Sequence, residues 1–150
     1  MDTDALTQFI LTARAKTYAG DSGKTEPLLK DSRQHEYTEG EFLYRDIYYV
    51  GAGRFTGLET VYWQDKPVWT MSYFGNFSAM SEAAADTILR EALIAKKDET
   101  RLWTNVEWEK DDFRYTYDGQ GSIEELGGEE EIHKGDARVY YFYCAGGLID

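Results

Sequence analysis

One cysteine, two prolines and two histidines in 150 residues exclude several kinds of protein at the outset. Cys144 alone closes no disulfide within the chain and builds no multi-cysteine zinc site. With so few prolines, and 14 glycines scattered along the chain, there is no long linker and no low-complexity tract. Basic residues are scarce too. Sixteen Lys and Arg stand against 28 Asp and Glu, a formal net charge of −12 and a pI near 4.6. Nucleic-acid binding needs a basic face that releases counterions, and an anionic membrane repels the same surplus, so neither is an expected partner. The opening MDTDALTQFILTARAKTY has acids first and no long apolar run. It reads as neither signal peptide nor membrane span, and the expected location is cytoplasmic.

What the chain has in plenty is aromatic rings: 12 Tyr, 7 Phe and 4 Trp. Such residues bury a large apolar area and leave a polar tip to be satisfied. The length suits one domain, residues 1–150, with a core of its own. Acids gather at 107–112 and 124–131, which reads as a solvated face, or more sharply as a surface that docks a basic partner or mimics nucleic acid.

Leu6, Phe9, Ile10 and Ala13 recur at helical spacing, with Thr3 or Asp4 as cap, and predict a helix over 4–17. Residues 20–34 are polar and turn-rich and read as a loop. Three aromatic and β-branched runs follow, EFLYRDIYYV, RFTGLETVYW and KPVWTMSYFG, with QDKP at 64–67 closing a hairpin between the last two. Ser81 caps a second predicted helix, 81–97, whose buried stripe is Ala85, Ile88, Leu89, Ala92 and Leu93. Two or three strands remain, around 112–118, 122–132 and 138–146.

Gly51, Gly53 and Gly57 follow an apolar run, as the glycines of a dinucleotide loop do. A pyrophosphate site requires a helix to begin there, and LETVYW has the composition of a strand, so the stretch is a turn and a strand. An internal match supports this. At an offset of 71 residues, 55–75 lies on 126–146 without a gap, pairing Gly57 with Gly128, Glu59 with Glu130, Val68 with Val139 and Gly75 with Gly146. We read two copies of one β-hairpin, related by a pseudo-twofold.

GRFTGLETVYWQDKPVWTMSYFG and GSIEELGGEEEIHKGDARVYYFYCAGGLI resemble a bacterial domain-of-unknown-function family. Its members occur alone or behind a helix-turn-helix domain in regulator-like proteins. The likeness runs from AKTYAG at 15–20 to Gly147. It implies a sensing or effector-binding role and transfers no catalytic residue. The chain departs from the regulator arrangement in having no room for a helix-turn-helix module, and Arg101-Leu102-Trp103 is atypical.

Strand alternation places Phe55, Gly57, Glu59, Val61 and Trp63 on one face, so Glu59, and Glu130 by the repeat, point to an apolar surface. There they hold a cationic ligand or act as acids, unless a bulge at Gly57 or Gly128 turns them to solvent or Arg45, Arg54 or Arg101 pairs with them. Trp63, Trp69 and Tyr73, with Tyr48 and Tyr140, either line a pocket that stacks a planar ligand or simply form the core; Arg54 beside the turn suits a phosphate or carboxylate. His35 and His133 stand in no nucleophile motif, Cys144 reads as a small buried hydrophobe, and no metal site or cofactor is expected.

The expected fold is α+β: a single twisted, mostly antiparallel sheet built around two similar hairpins, with two helices packed on one face. Three functions fit: a non-catalytic small-molecule-binding or sensing domain, an acidic protein-interaction or inhibitor module, and an enzyme using Glu59 and Glu130. A homodimer through sheet edges or an aromatic face is compatible with each.

Overall fold

The computed structural model describes all residues from Met1 to Asp150. Helix α1 spans Thr3–Lys16 and is capped by Asp2, whose side chain accepts from the Asp4 amide at 2.9 Å. The cap thus lies one residue before the predicted pair, because the Asp2 carboxylate reaches the first free amides. Strands β1 (Arg33–Glu39), β2 (Phe42–Val50), β3 (Arg54–Trp63) and β4 (Lys66–Asn76) follow. Helix α2 (Glu82–Ala95) starts at Ser81, which accepts from the Ala84 amide at 3.2 Å. Strands β5 (Asn105–Lys110), β6 (Phe113–Gly121), β7 (Glu125–Lys134) and β8 (Ala137–Leu148) complete the chain. Neither helix is long and apolar enough to cross a membrane.

All eight strands form one antiparallel sheet in the order β1-β2-β3-β4-β8-β7-β6-β5, open at both ends. Two-residue turns join most neighbours. At 64–65 both residues take positive φ (50° and 63°), the backbone twist that a tight hairpin requires. The register obeys one offset throughout. Gly57 faces Tyr73 and Gly128 faces Cys144; Glu59 faces Met71 and Glu130 faces Phe142. The pairing slips between Val61 and Tyr62 in one half and between Ile132 and His133 in the other, again 71 residues apart. Tyr73 and Cys144 are themselves partners where β4 meets β8.

Leu6, Phe9, Ile10 and Ala13 of α1 and the predicted five-residue stripe of α2 share a cluster with Tyr44, Val61, Trp69, Met71, Tyr115, Ile132, Tyr140 and Phe142. Trp69 is fully buried, and removing such a ring to Ala costs about 3–5 kcal/mol.

The sequence reading errs at the sheet edges. Arg33–Glu39 is strand β1, although 20–34 reads as loop, and four strands follow α2 rather than two or three. The missing one, β5, lies in the acidic stretch 107–112. Both are edge strands, where charge guards unpaired backbone and hides the apolar alternation. Backbone bonds from Thr25 to Gln34 and from Glu36 to Gly23 also cover the outer side of β1. The first acidic run is exposed as expected at Glu107, Glu109, Asp111 and Asp112, and the second is exposed at Glu124 and Glu125. The second run continues as β7, in which Glu129 is exposed while Glu130 is buried. Helix α1 lies one residue earlier than expected, with Thr17 as its C-cap, and α2 is shorter than expected, because Ser81 and Lys96 are its caps.

Gly57 and Gly128 are required by tyrosines that cross above them. A Cβ on Gly57 would lie 2.4 Å from the Tyr73 hydroxyl, and one on Gly128 would lie 2.2 Å from the Tyr117 hydroxyl. Gly127 is unconstrained, its nearest neighbour being the Cys144 carbonyl at 3.7 Å. Urea unfolding should therefore show Gly57→Ala and Gly128→Ala each destabilised by about 1–3 kcal/mol, with Gly127→Ala close to wild type. Equal stability for all three would contradict this packing.

Candidate functional site

Two buried arginine–glutamate pairs stand beneath the helices. Arg14, in the last turn of α1, turns inward and grips Glu59 of β3, with Nη2 at 2.7 Å and Nε at 3.0 Å from Oε2. Arg101, in the connection after α2, grips Glu130 of β7 with Nε and Nη2 at 2.9 and 2.8 Å. Glu59 is 2% exposed and Glu130 0%. Tyr115 and Tyr140 also donate to Glu130 at 2.6 and 2.8 Å, so this carboxylate is fully engaged. The pairs touch one another, because Arg14 Nη1 donates to the Arg101 carbonyl at 2.8 Å. Burial works against each guanidinium charge. The facing carboxylate outweighs it and raises both arginines above their ordinary value.

Beside the Glu59 pair, on the neighbouring strand away from Glu130, lies a carboxyl with no such partner. Asp46 of β2 sits opposite Glu59 in the sheet and is 6% exposed. Its Oδ1 accepts from the Tyr73 hydroxyl at 2.7 Å, and no cation forms an ion pair with it. Burial, and then the charge of Glu59, push its pKa up to about 7, against the lesser pull of Tyr73, Arg101 and Arg14.

Asp46 faces a cavity of about 80 Å³ between the helices and the sheet. Tyr44, Tyr48, Tyr73 and Phe142 contribute rings from the sheet, Tyr18 and Ala85 close it from the helical side, and Arg33 and Glu82 meet at 2.5 Å. Tyr18 donates to Asp86 at 2.5 Å. Behind Tyr48, at 5.7 Å and parallel to it, His35 is buried with neither ring nitrogen hydrogen-bonded. Burial, reinforced by Lys24 and Arg90, lowers its pKa to about 4, so it is neutral.

The sequence-predicted residues divide accordingly. Tyr48, Tyr73 and Tyr140 line the cavity, as does Glu59. Trp69 lies beneath the Arg14 guanidinium, 5.7 Å from it, as core. Trp63 packs at the margin of the core, and Arg54 is exposed at the start of β3, so neither lines the cavity. Of the arginines proposed to pair with the glutamates, Arg101 does so. Arg45 instead contacts Glu36 at 2.7 Å, and Arg14 supplies the missing partner. No bulge forms at Gly57 or Gly128; the shifts come after Val61 and Ile132, beyond the glutamates, which leaves both glutamates facing inward. Two residues escaped the sequence reading although a signal for each existed. Arg14 lies four residues beyond Ile10 on the apolar stripe, and Asp46 alternates with Tyr44 and Tyr48 on one strand face.

Breaking a buried pair strands a charge. Arg101→Met should cost about 3–5 kcal/mol, and adding Glu130→Gln should recover part of that loss; a fully additive double-mutant cycle in urea would contradict the coupling. The pH dependence has a defined sign. A carboxyl raised from 3.8 to about 7 makes the folded state hold the extra proton, so its stabilising contribution is present in acid and lost as pH rises to 7. His35, lowered from 6.5 to about 4, contributes stability lost as pH falls through that window, and the two oppose each other. Relative to wild type, Asp46→Asn should therefore gain stability between pH 4 and 7, by up to about 1.4 kcal/mol per pH unit. A pH-independent difference would show that Asp46 is ordinary.

No curated protein and no solved structure matches the chain. The family model described as a domain of unknown function, DUF5680, matches residues 46–149. That span begins at Asp46 itself and takes in Glu59, Tyr73, Arg101 and Glu130, while Arg14 and α1 precede it. The chain belongs to the DUF5680 family of domains of unknown function.

Proposed function

We propose that the chain is a non-catalytic small-molecule-binding or sensing domain whose ligand occupies the cavity between the helices and the sheet. One observation carries the reading: a buried carboxyl, Asp46, faces the cavity together with several aromatic rings and has no guanidinium paired to it. An apolar cavity with a few convergent polar groups is the usual form of a small-molecule site. Glu59 and Glu130 are held by two-point guanidinium contacts, a positioning role that favours binding over acid–base catalysis. The common 71-residue register further supports a sheet built from two copies of one unit, with the ligand held on one half.

A second reading, an acidic protein-interaction module, draws on the opposite face. There one register row runs through Tyr49, Thr56, Phe74, Tyr143 and Glu129, from exposed rings to exposed acid. Association that weakens with added salt would favour it.

Native mass spectrometry separates the two. A small-molecule adduct that leaves on denaturation, and is lost when Ala85→Leu fills the cavity, is the expected result. Protein–protein association unaffected by Ala85→Leu, with no adduct, would favour the second reading.

A further inference from the structure

Every guanidinium around the cavity is already matched. Arg14 is spent on Glu59, the Arg101 carbonyl and the Met71 sulfur; Arg101 is spent on Glu130; and Arg33 is spent on Glu82. The one lining cation outside these pairs is Lys97, a half-exposed side chain whose sole ion-pair contact is with Asp98 at 4.0 Å. The lining aspartates are in the opposite position to the arginines. Asp46 and Asp86 each receive a tyrosine hydroxyl, at 2.7 and 2.5 Å, and neither forms an ion pair. The buried charge on the sheet therefore sums to two matched pairs and one unmatched carboxyl.

We propose that the cavity takes a small organic monocation, an ammonium on a flat apolar body, with its charge on the Asp46 carboxylate and its body among the surrounding rings. The inference rests on the binding-domain reading and specifies its ligand class. Ring faces attract cations, and the strength of that attraction grows as water is excluded. Tyr48, Tyr73, Phe55 and Phe142 supply such faces around Asp46. The titratable and charged groups near Asp46 come from each element packed against it: His35, its register partner on β1 and neutral above about pH 4, Glu59 on β3, the Tyr73 hydroxyl on β4, Arg14 on α1 and Arg101 after α2. The two arginines are neutralised by their glutamates, which leaves the field at Asp46 favourable to an added positive charge. In the free protein Asp46 holds a proton up to about pH 7. A cation binds the ionised form, so binding expels that proton and affinity rises with pH.

Three probes of one shape test this by calorimetry and amide chemical shifts: benzylamine, benzyl alcohol and benzoate. Benzylamine should bind at least tenfold more tightly than benzyl alcohol at pH 8, and benzoate should bind least. Its affinity should rise about tenfold from pH 6 to pH 8. Asp46→Asn should remove both the preference and the pH dependence. The probe ranking and the wild-type pH series stand even if that variant does not fold. Benzyl alcohol or benzoate binding as well as the amine, or a flat pH series, overturns the cation assignment and leaves the binding-domain reading intact. No shift at any cavity residue with all three probes overturns both.

Discussion

A guanidinium gripping a carboxylate under each half of the sheet is the contact on which the rest of the architecture depends. Neither charge tolerates burial alone, and the desolvation cost of such a pair is repaid only when its geometry and remaining hydrogen bonds are nearly complete. Both pairs meet that demand. Glu130 has two tyrosine hydroxyls besides Arg101, and Arg14 uses all three of its nitrogens. Because Arg14 also reaches the Arg101 carbonyl, the end of α1 is tied to the segment that follows α2. Arg101 adopts a left-handed backbone (φ 57°), disfavoured for a side chain of its size, and its grip on Glu130 holds it there.

The cavity is bordered by Tyr48, Tyr73 and Asp46. The two halves differ there in chemistry. Where the first half sets Asp46 against Tyr73, the second places Tyr117 near Cys144 at 3.7 Å, 71 residues further along at both positions. One half therefore carries an acid at the position where the other carries a neutral pair. Tyrosine crosses a glycine in both, so the scaffold is shared while the polar chemistry is not.

The sequence disclosed what periodicity encodes. Ala85, Ile88, Leu89, Ala92 and Leu93 all face the core as their spacing predicts, and the inward direction of Glu59 and Glu130 follows from strand alternation. Edge strands β1 and β5 were illegible because RQHEYTE and NVEWEK carry charge where a central strand would carry valine or isoleucine. The cavity was half legible. Tyr48, Tyr73 and Tyr140 were drawn from the right strands, but Trp63, Trp69 and Arg54 were grouped with them by residue type alone. Nothing in a linear pattern distinguishes a ring that lines a gap from one that fills the core. Asp46 shows the limit most clearly, because its importance comes from the partner it lacks, and only the fold reveals which arginines are already engaged.

The most direct measurement is the titration of the Asp46 side-chain carboxyl carbon by NMR in the ligand-free protein. The account predicts a midpoint near neutrality, the behaviour of a buried carboxyl beside Glu59 with no cation of its own. A midpoint near 4, the ordinary range for aspartate, would mean that Asp46 is solvated or paired, and would contradict the unmatched buried charge on which the proposed site is built.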